Sequence, residues 1–363
     1  MNTLAQPNSF FPNIQCARAF AALAVVGYHM GILPAGQAGV DLFFVISGFI
    51  MSCVAPREGR AFFRKRLIRI VPLYWLTTLG VFAIAAWRPQ WLNTTTAGAA
   101  YLVKSLLFIP YVKDNGHWGP LNLNGWTLEY EMLFYVVVAA ALVLVRARYA
   151  SALAAALLAL FCAYVAARGT SSAVADHLGQ PFVLEFGLGV LAYWLLDAGI
   201  GSRVGPRVWT ALAVVGLATM ALLPAWYGTP SGFARTAWWG GSACVLLVAL
   251  IALDLHGWTI KSRALAALGA ASYSIYLIHP YVIGIAAKLV GLRTAIDTPG
   301  GIAASAAILI AVCVSGYLCH AWIERPMLLA LNQWWLPRAD RNRPNRPAPD
   351  ANPVSRRCET TRR

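Results

Sequence analysis

Charged residues are scarce in this chain. They make up 12% of its 363 residues, while 59% are hydrophobic. Soluble domains carry roughly 25% charged residues. The deficit falls in long apolar runs, which excludes an ordinary soluble domain and is the composition of a membrane protein. Metal-type cysteine spacing is missing too. The seven cysteines, Cys16, Cys53, Cys162, Cys244, Cys313, Cys319 and Cys358, include no CxxC pair and no Cys/His ligand spacing. Neither a disulfide framework nor a structural zinc site is supported, and no metal is expected. The first thirteen residues contain no Lys or Arg. A cleaved signal peptide starts basic, so the first apolar run reads as a retained span. No internal repeat and no second globular domain is visible.

What charge there is leans basic, at a formal +15. The Arg and Lys residues gather between apolar runs and in the tail, as in a protein that marks its cytoplasmic side. Nucleic acid is therefore not an expected partner. The apolar runs lie near 14–33, 39–55, 71–87, 126–145, 150–167, 181–198, 208–224, 235–254, 268–289 and 301–322. A helix needs about 20 residues to cross the hydrocarbon core. An eleventh run, 99–110, is too short to span comfortably.

Basic residues decide whether that short run crosses. Segment 56–70 holds Arg57, Arg60, Arg64, Lys65, Arg66 and Arg69 and should be cytoplasmic. If 99–110 does not cross, the connections with Arg146/Arg148, Arg203/Arg207 and Lys261/Arg263 fall on the same side, as does the Arg-rich tail. If it does cross, all of them land outside. The expectation is an all-α, polytopic membrane protein with about ten transmembrane helices and with N- and C-termini cytoplasmic. Residues 88–124 then form an external loop with a short interfacial or re-entrant helix. Residues 1–13 read as a short cytoplasmic N-terminus and 14–326 as the membrane domain. Residues 337–363 read as a disordered Arg/Pro-rich cytoplasmic tail that either stays in solution or touches anionic headgroups.

Ionisable residues inside apolar runs need a reason to be there, since a charge at the bilayer centre costs about 2.5–3.5 kcal/mol on insertion scales. The first span places Arg18 and His29 eleven residues apart. At about 100° per residue they share a helix face, roughly 16 Å apart along the axis. The alternative is a snorkelling Arg18 and a His29 that binds helices together. Arg66 and Arg69 are three apart and face one way. Two guanidiniums side by side can clamp a phosphate, or they simply mark topology. In Trp126-Thr127-Leu128-Glu129-Tyr130-Glu131 the two acids are about 200° apart. Glu131 aligns with Thr127 and Tyr135 and is the expected interior residue. Glu129 is expected at the interface or a headgroup. Ser272, Tyr276 and His279 form a polar stripe at i, i+4, i+7, and Pro280 should kink that helix and free a carbonyl. Glu324 is expected to close an ion pair. Asp41, at the outer start of the second span, is expected near His29, where it would orient or charge the imidazole, or it is a simple helix-start acid.

Together these residues resemble a known family. Arg18 and His29 with ten residues between them, then GVDLFFVISGF (39–49), RKRLIRIVPLYW (64–75), WTLEYEMLFY (126–135), SYSIYLIHP (272–280) and IERP (323–326) look like the membrane acyltransferase-3 family. The chain is most similar to its exopolysaccharide O-acetyltransferases, which decorate polymers such as succinoglycan and xanthan. The resemblance implies a fold of about ten membrane helices, acetyl-CoA as cytoplasmic donor, and a polysaccharide or lipid-linked glycan acceptor on the other face. It implies a bacterial inner membrane, contact with membrane lipid, and a possible tie to polysaccharide assembly machinery. It carries the family's Arg and His onto Arg18 and His29, its paired arginines onto Arg66 and Arg69, and its acidic residue onto Glu131.

On that reading Arg66 and Arg69 hold the CoA phosphates and Arg18 adds charge stabilisation. His29 acts as general base or as acyl-carrying nucleophile, oriented by Glu131 or Asp41. Trp126, Tyr276 and His279 are the expected acceptor-binding residues. The competing readings are a glycan transporter or flippase, whose substrate path would also hold buried charges, and a non-catalytic subunit of a polysaccharide assembly complex.

Overall fold

The computed structural model describes residues 11–92, 97–114, 116, 118–289 and 297–335. The expected disordered tail at 337–363 and most of the N-terminal segment at 1–13 lie outside them. Among the described residues the chain is helical, with one isolated bridge between Val112 and Trp118. The α-helices run in the order α1 (Pro12–His29), α2 (Ala38–Glu58), α3 (Phe62–Trp87), α4 (Ala99–Leu106), α5 (Gly125–Leu144), α6 (Ala150–Arg168), α7 (Ala173–Leu178), α8 (Phe182–Asp197), α9 (Ile200–Arg203), α10 (Pro206–Tyr227), α11 (Gly232–Arg235), α12 (Gly241–Leu255), α13 (Arg263–Ala270), α14 (Ser272–Leu289), α15 (Pro299–Cys319) and α16 (Arg325–Trp335).

Each of the ten apolar runs falls on helix. Seven helical stretches are long and apolar enough to cross a membrane, or eight if the bent pair α13–α14 counts as one span. That is fewer than the expected ten, and part of the difference has a structural reason: α2 and α3 follow one another so closely that Pro34–Trp87 is one continuous helical stretch. The chain is a multi-pass membrane protein. The short run is an eight-residue helix, α4, roughly 12 Å long, and cannot span. It is docked onto α3 through its own free carbonyls. Tyr74 Oη donates to Ser105 O at 3.1 Å and Trp75 Nε1 donates to Leu106 O at 2.8 Å, satisfying groups that a helix C-terminus leaves open.

The layering follows from which helices are apolar all round. The apolar stretch within Pro34–Trp87 is 89% buried, that of Pro206–Tyr227 only 22%. A helix apolar on every face must be enclosed, and α2 forms the centre of the bundle, while α6, α10 and α15 turn apolar side chains such as Leu160, Trp226 and Ile310 outward. The tightest packing is α2 against α8. A Cβ on Gly48 would sit 2.0 Å from Phe186 O, and one on Gly189 2.0 Å from Val45 O, so only glycine lets these two backbones approach.

One expected distortion is elsewhere. Pro280 lies inside α14, and the sharp bend, 76°, falls between α13 and α14. Proline still acts as predicted on the hydrogen bonds. It has no N–H to offer Tyr276 O four residues back, and that freed carbonyl accepts Asn124 Nδ2 at 2.5 Å.

Candidate active site

Five of the titratable residues that the sequence singles out, Arg18, His29, Arg66, Arg69 and Glu131, line two cavities. The first, of about 180 Å³, is lined by Arg18, Arg66, Arg69, Ser47, Glu131, Tyr135, Tyr273 and Tyr276 among others. Helix α1 supplies Arg18, the first two turns of α3 supply Arg66 and Arg69, and α5 supplies Glu131. Two of the arginines are held by carboxylates. Arg66 Nη2 donates to both oxygens of Glu58, at 3.1 and 3.0 Å. Arg69 pairs with Glu324, which also accepts from Ser274 at 2.7 Å and meets His320 at 2.8 Å. The expected ion pair of Glu324 is thus with Arg69. A π-helical turn over His320–Glu324 brings His320 and Glu324 together.

Arg18 stands apart. It makes no hydrogen bond or ion pair with any described residue. A guanidinium inside an apolar bundle is expensive without a partner, and this one has only the cavity to face. Arg66 Nε is a second buried donor without a partner. Among the lining side chains Glu131 is the one acid, and its Oε1 already accepts from Ser47 Oγ at 3.1 Å and from Tyr135 Oη. The lining of the first cavity thus carries three guanidiniums and one carboxylate.

The second cavity, of about 280 Å³, is lined by His29, Trp118, Gly119, Leu123, Asn124, Trp126 and His177. His29 is the exposed last residue of α1. Its Nδ1 lies 3.0 Å from Val25 O and 3.2 Å from Nε2 of His279, a side chain with 0% exposure. These contacts fix the protons. A carbonyl only accepts, so His279 Nδ1, 3.1 Å from Ile275 O, carries a hydrogen. In the neutral ring His279 Nε2 is then a bare lone pair. His29 Nδ1, facing that lone pair and Val25 O, must be the N–H. His29 Nε2 is left as an available lone pair, the atom that a general base or nucleophile needs.

A thin wall separates the cavities. Consecutive residues of α5 face different sides: Trp126 lines the second cavity, Thr127 the first. Thr127 Oγ1 donates to Asn124 O at 3.1 Å and accepts from Tyr276 Oη at 2.9 Å. Asn124 in turn holds Tyr276 O. Asn124, Thr127 and Tyr276 thus form one hydrogen-bonded partition.

Several expectations are corrected here. Asp41 does not orient His29. Both its oxygens go to Arg235, Oδ1 to Nε at 3.0 Å and Oδ2 to Nη2 at 2.8 Å, because α2 packs against the segment that carries Arg235. Glu131 does not orient His29 either; it belongs to the arginine cavity, and His279 holds the imidazole instead. Glu129 is not at a headgroup. It is 2% exposed, and its Oε2 lies 3.1 Å from His177 Nε2. The 200° separation of the two acids is real, but α5 has protein on both of those sides. Trp126 and His279 do stand with His29, whereas Tyr276 and Ser272 line the arginine cavity.

Arg235 and His177 were not singled out by sequence. Arg235 opens an apolar run like any flanking basic residue, and His177 lies on the six-residue α7 outside every run. A lone His just before a Gly-Gln-Pro break carries no periodic signal.

Comparisons with known proteins agree on one chemistry. The model of an acyltransferase domain matches residues 11–336. The exopolysaccharide production protein ExoZ of Rhizobium meliloti is 34% identical over 85% of this chain and 94% of its own length. The acyltransferase MdmB of Streptomyces mycarofaciens is 27% identical over 93% of this chain and 95% of its own. The O-acetyltransferase OatA of Staphylococcus aureus is 22% identical over 76% of this chain and 51% of its own. No solved structure shows a significant match.

Proposed function

From a chain that belongs to the acyltransferase family and is a multi-pass O-acyltransferase, we propose a reaction that moves an acetyl group from cytoplasmic acetyl-CoA to a hydroxyl of an exported polysaccharide or its lipid-linked precursor, in a bacterial inner membrane. The observation that carries this reading is the division of the site: three guanidiniums around one cavity, and an imidazole with a free Nε2 at the next. The name of ExoZ supports an exopolysaccharide acceptor.

The arginine cavity fits the charged and acyl-bearing end of a CoA thioester. Its volume of about 180 Å³ is below the roughly 300–1,000 Å³ of full ligand pockets, so most of a nucleotide would stay outside. Arg66 and Arg69 lie on the first turns of α3, next to the basic segment read as cytoplasmic, and would meet phosphate or pyrophosphate there with charge-assisted hydrogen bonds. Their carboxylate partners hold them in place for this. Arg18, unpaired, would face the thioester carbonyl and stabilise negative charge that grows on its oxygen.

His29 Nε2 then attacks the acyl carbon, and the carbon–sulfur pair leaves with the thiolate. His279 Nε2 accepts the proton from His29 Nδ1 as positive charge builds on the ring. The acyl group must cross the partition, so Tyr276 would move, breaking its bond to Thr127. The alternative of His29 as a general base requires thioester and acceptor to meet in one chamber. Two cavities with a wall between them favour the covalent relay.

The test is label transfer. Purified protein in lipid nanodiscs, given [¹⁴C]acetyl-CoA and exopolysaccharide freed of its esters by mild alkali, should place the label on the glycan. His29→Ala should not. Glycan that stays unlabelled with the wild-type protein, or a His29→Ala protein that labels at the wild-type rate, would overturn the proposal.

A further inference from the structure

Resting on that reading, we propose that His177, held by Glu129, is the base that deprotonates the acceptor hydroxyl in the second cavity, so that two imidazoles there divide the reaction. Both rings line the same cavity of about 280 Å³. His29 is presented by the last turn of α1 and His177 by α7, from sequence positions with no local relation.

The geometry gives His177 what a general base needs. Its Nε2 lies 3.1 Å from Glu129 Oε2. A carboxylate only accepts, so Nε2 carries the hydrogen and Nδ1 carries the lone pair. No described residue bonds Nδ1. The ring cannot drift. Trp118 stacks on it, with centroids 4.9 Å apart and planes 9° from parallel, while the Tyr130 ring lies 5.1 Å away, tilted by 38°. Tyr130 Oη also donates to the backbone oxygen of His177 at 2.5 Å, which pins the helix that carries the ring.

Glu129 is the unusual member. Its side chain is 1% exposed, yet Oε1 has no hydrogen-bond partner among the described residues. A carboxylate buried with one oxygen unsatisfied is costly. The cation-capable group it meets is the His177 imidazole, at 3.1 Å. That arrangement favours the imidazolium once His177 has taken a proton, which is the role a buried acid plays behind a catalytic histidine. Glu129 is thus a positioning residue and His177 a catalytic one.

The step balances. The acceptor O–H gives its proton to His177 Nδ1, and its oxygen forms a bond to the acyl carbon on His29 Nε2. The carbon–nitrogen bond breaks, its electron pair returns to Nε2, and His279 Nε2 gives the proton back to His29 Nδ1, leaving an ester and a neutral His29. His177 then loses its proton to water, and the thiolate of the spent donor takes one up.

The two half-reactions can be separated with hydroxylamine, which is neutral near pH 7 and attacks acyl groups without a base. The purified full chain is given acetyl-CoA with either alkali-treated exopolysaccharide or hydroxylamine, and free CoA thiol is measured. His177→Gln and, as a second replacement, His177→Asn should lower glycan-dependent release about 100-fold or more. Hydroxylamine-dependent release should stay within about threefold of wild type, because acylation of His29 does not use His177. Glu129→Gln should show the same split with a smaller loss. Undiminished glycan transfer in both His177 variants overturns the proposal. So does a parallel fall with both acceptors, which would mean a role in folding or in the donor half. The underlying reading fails separately, if His29→Ala still releases CoA to hydroxylamine at the wild-type rate.

Discussion

The two cavities share helix α1, which lines one with Arg18 and the other with His29, roughly 16 Å apart along its axis, and they are organised by opposite means. In the arginine cavity, charges are fixed by charges: Glu58 holds Arg66, and Glu324 holds Arg69. Only Arg18 is left over. In the histidine cavity, neutral groups fix the protons of the His29–His279 pair, and His177 alone looks to a carboxylate, Glu129. Carbonyls of Val25 and Ile275 decide which nitrogen of His29 and His279 is protonated. A place that must grip an anion needs rigid positive charge. A place that must move protons and an acyl group needs defined lone pairs and little fixed charge. The difference between the cavities is the difference between binding a donor and doing chemistry on it.

The sharpest way to break that comparison is at His29. Its replacement by Ala should lower acetyl transfer by on the order of 10³-fold or more, with unchanged membrane insertion and chromatographic profile. Insertion and folding do not depend on an exposed residue at the end of α1. A His29→Ala protein of wild-type activity would leave the second cavity without chemistry.

His279 comes next. It lines neither of the two cavities described, so its effect on them passes through His29. His279→Phe keeps a ring in a fully buried position and removes both nitrogens. With no lone pair facing His29 Nδ1, the proton on that ring is less well defined. Transfer should fall by about 10²–10⁴-fold in kcat, the range seen when a catalytic imidazole loses its orienting partner, with the KM for acetyl-CoA unchanged. A KM effect alone would move His279 to the binding side of the comparison.

Sequence made the charged members of the arginine cavity and His29 legible, but not their pairing and not His177. Spacing put Arg18 and His29 on one face of α1 and Glu131 in line with Thr127 and Tyr135, and the structure keeps those alignments because they follow from helical pitch alone. Which side chain meets which is set by contacts between residues far apart in the chain. His29 and His279 are 250 positions apart, and Arg69 and Glu324 are 255 apart. Periodicity on one helix carries no information about the angle at which another helix crosses it. The same blindness explains Glu129. Its face reads as interface or headgroup, when α7 covers it. It also explains Asp41, whose nearness to His29 in sequence suggested a contact that Arg235 pre-empts.

The arginine cavity is tested by Arg66→Ala and Arg69→Ala. Each should raise the KM for acetyl-CoA about tenfold or more, since a hydrogen bond to a charged group is worth about 1.5–3 kcal/mol, with a smaller change in kcat. Neither variant strands its carboxylate. Glu58 retains Lys65 at 3.4 Å, and Glu324 retains Ser274 and His320. Loss of stability is therefore not the expected cause. Unchanged KM values in both would show that the guanidiniums hold the fold and not the donor.

The smallest effect on catalysis is expected at Asp41, and it separates the reading from the sequence most cleanly from the reading of the structure. Asp41 is 0% exposed, and its bidentate bond to Arg235 ties α2 to the turn before α12. Arg235 also lies over the rings of Phe182 and Trp239, at 5.0 and 4.9 Å. Removing one partner of such a buried pair leaves an uncompensated charge and costs about 3–5 kcal/mol. Asp41→Asn should thus lower the melting temperature in detergent clearly while the kcat of the folded fraction stays near wild type. The double variant Asp41→Asn/Arg235→Gln should lose less stability than the two single losses added, because the pair couples. If Asp41→Asn instead reduced kcat with no shift in melting temperature, the carboxylate would be acting on His29 after all, and the boundary between a structural ion pair and the catalytic imidazoles would have to be redrawn.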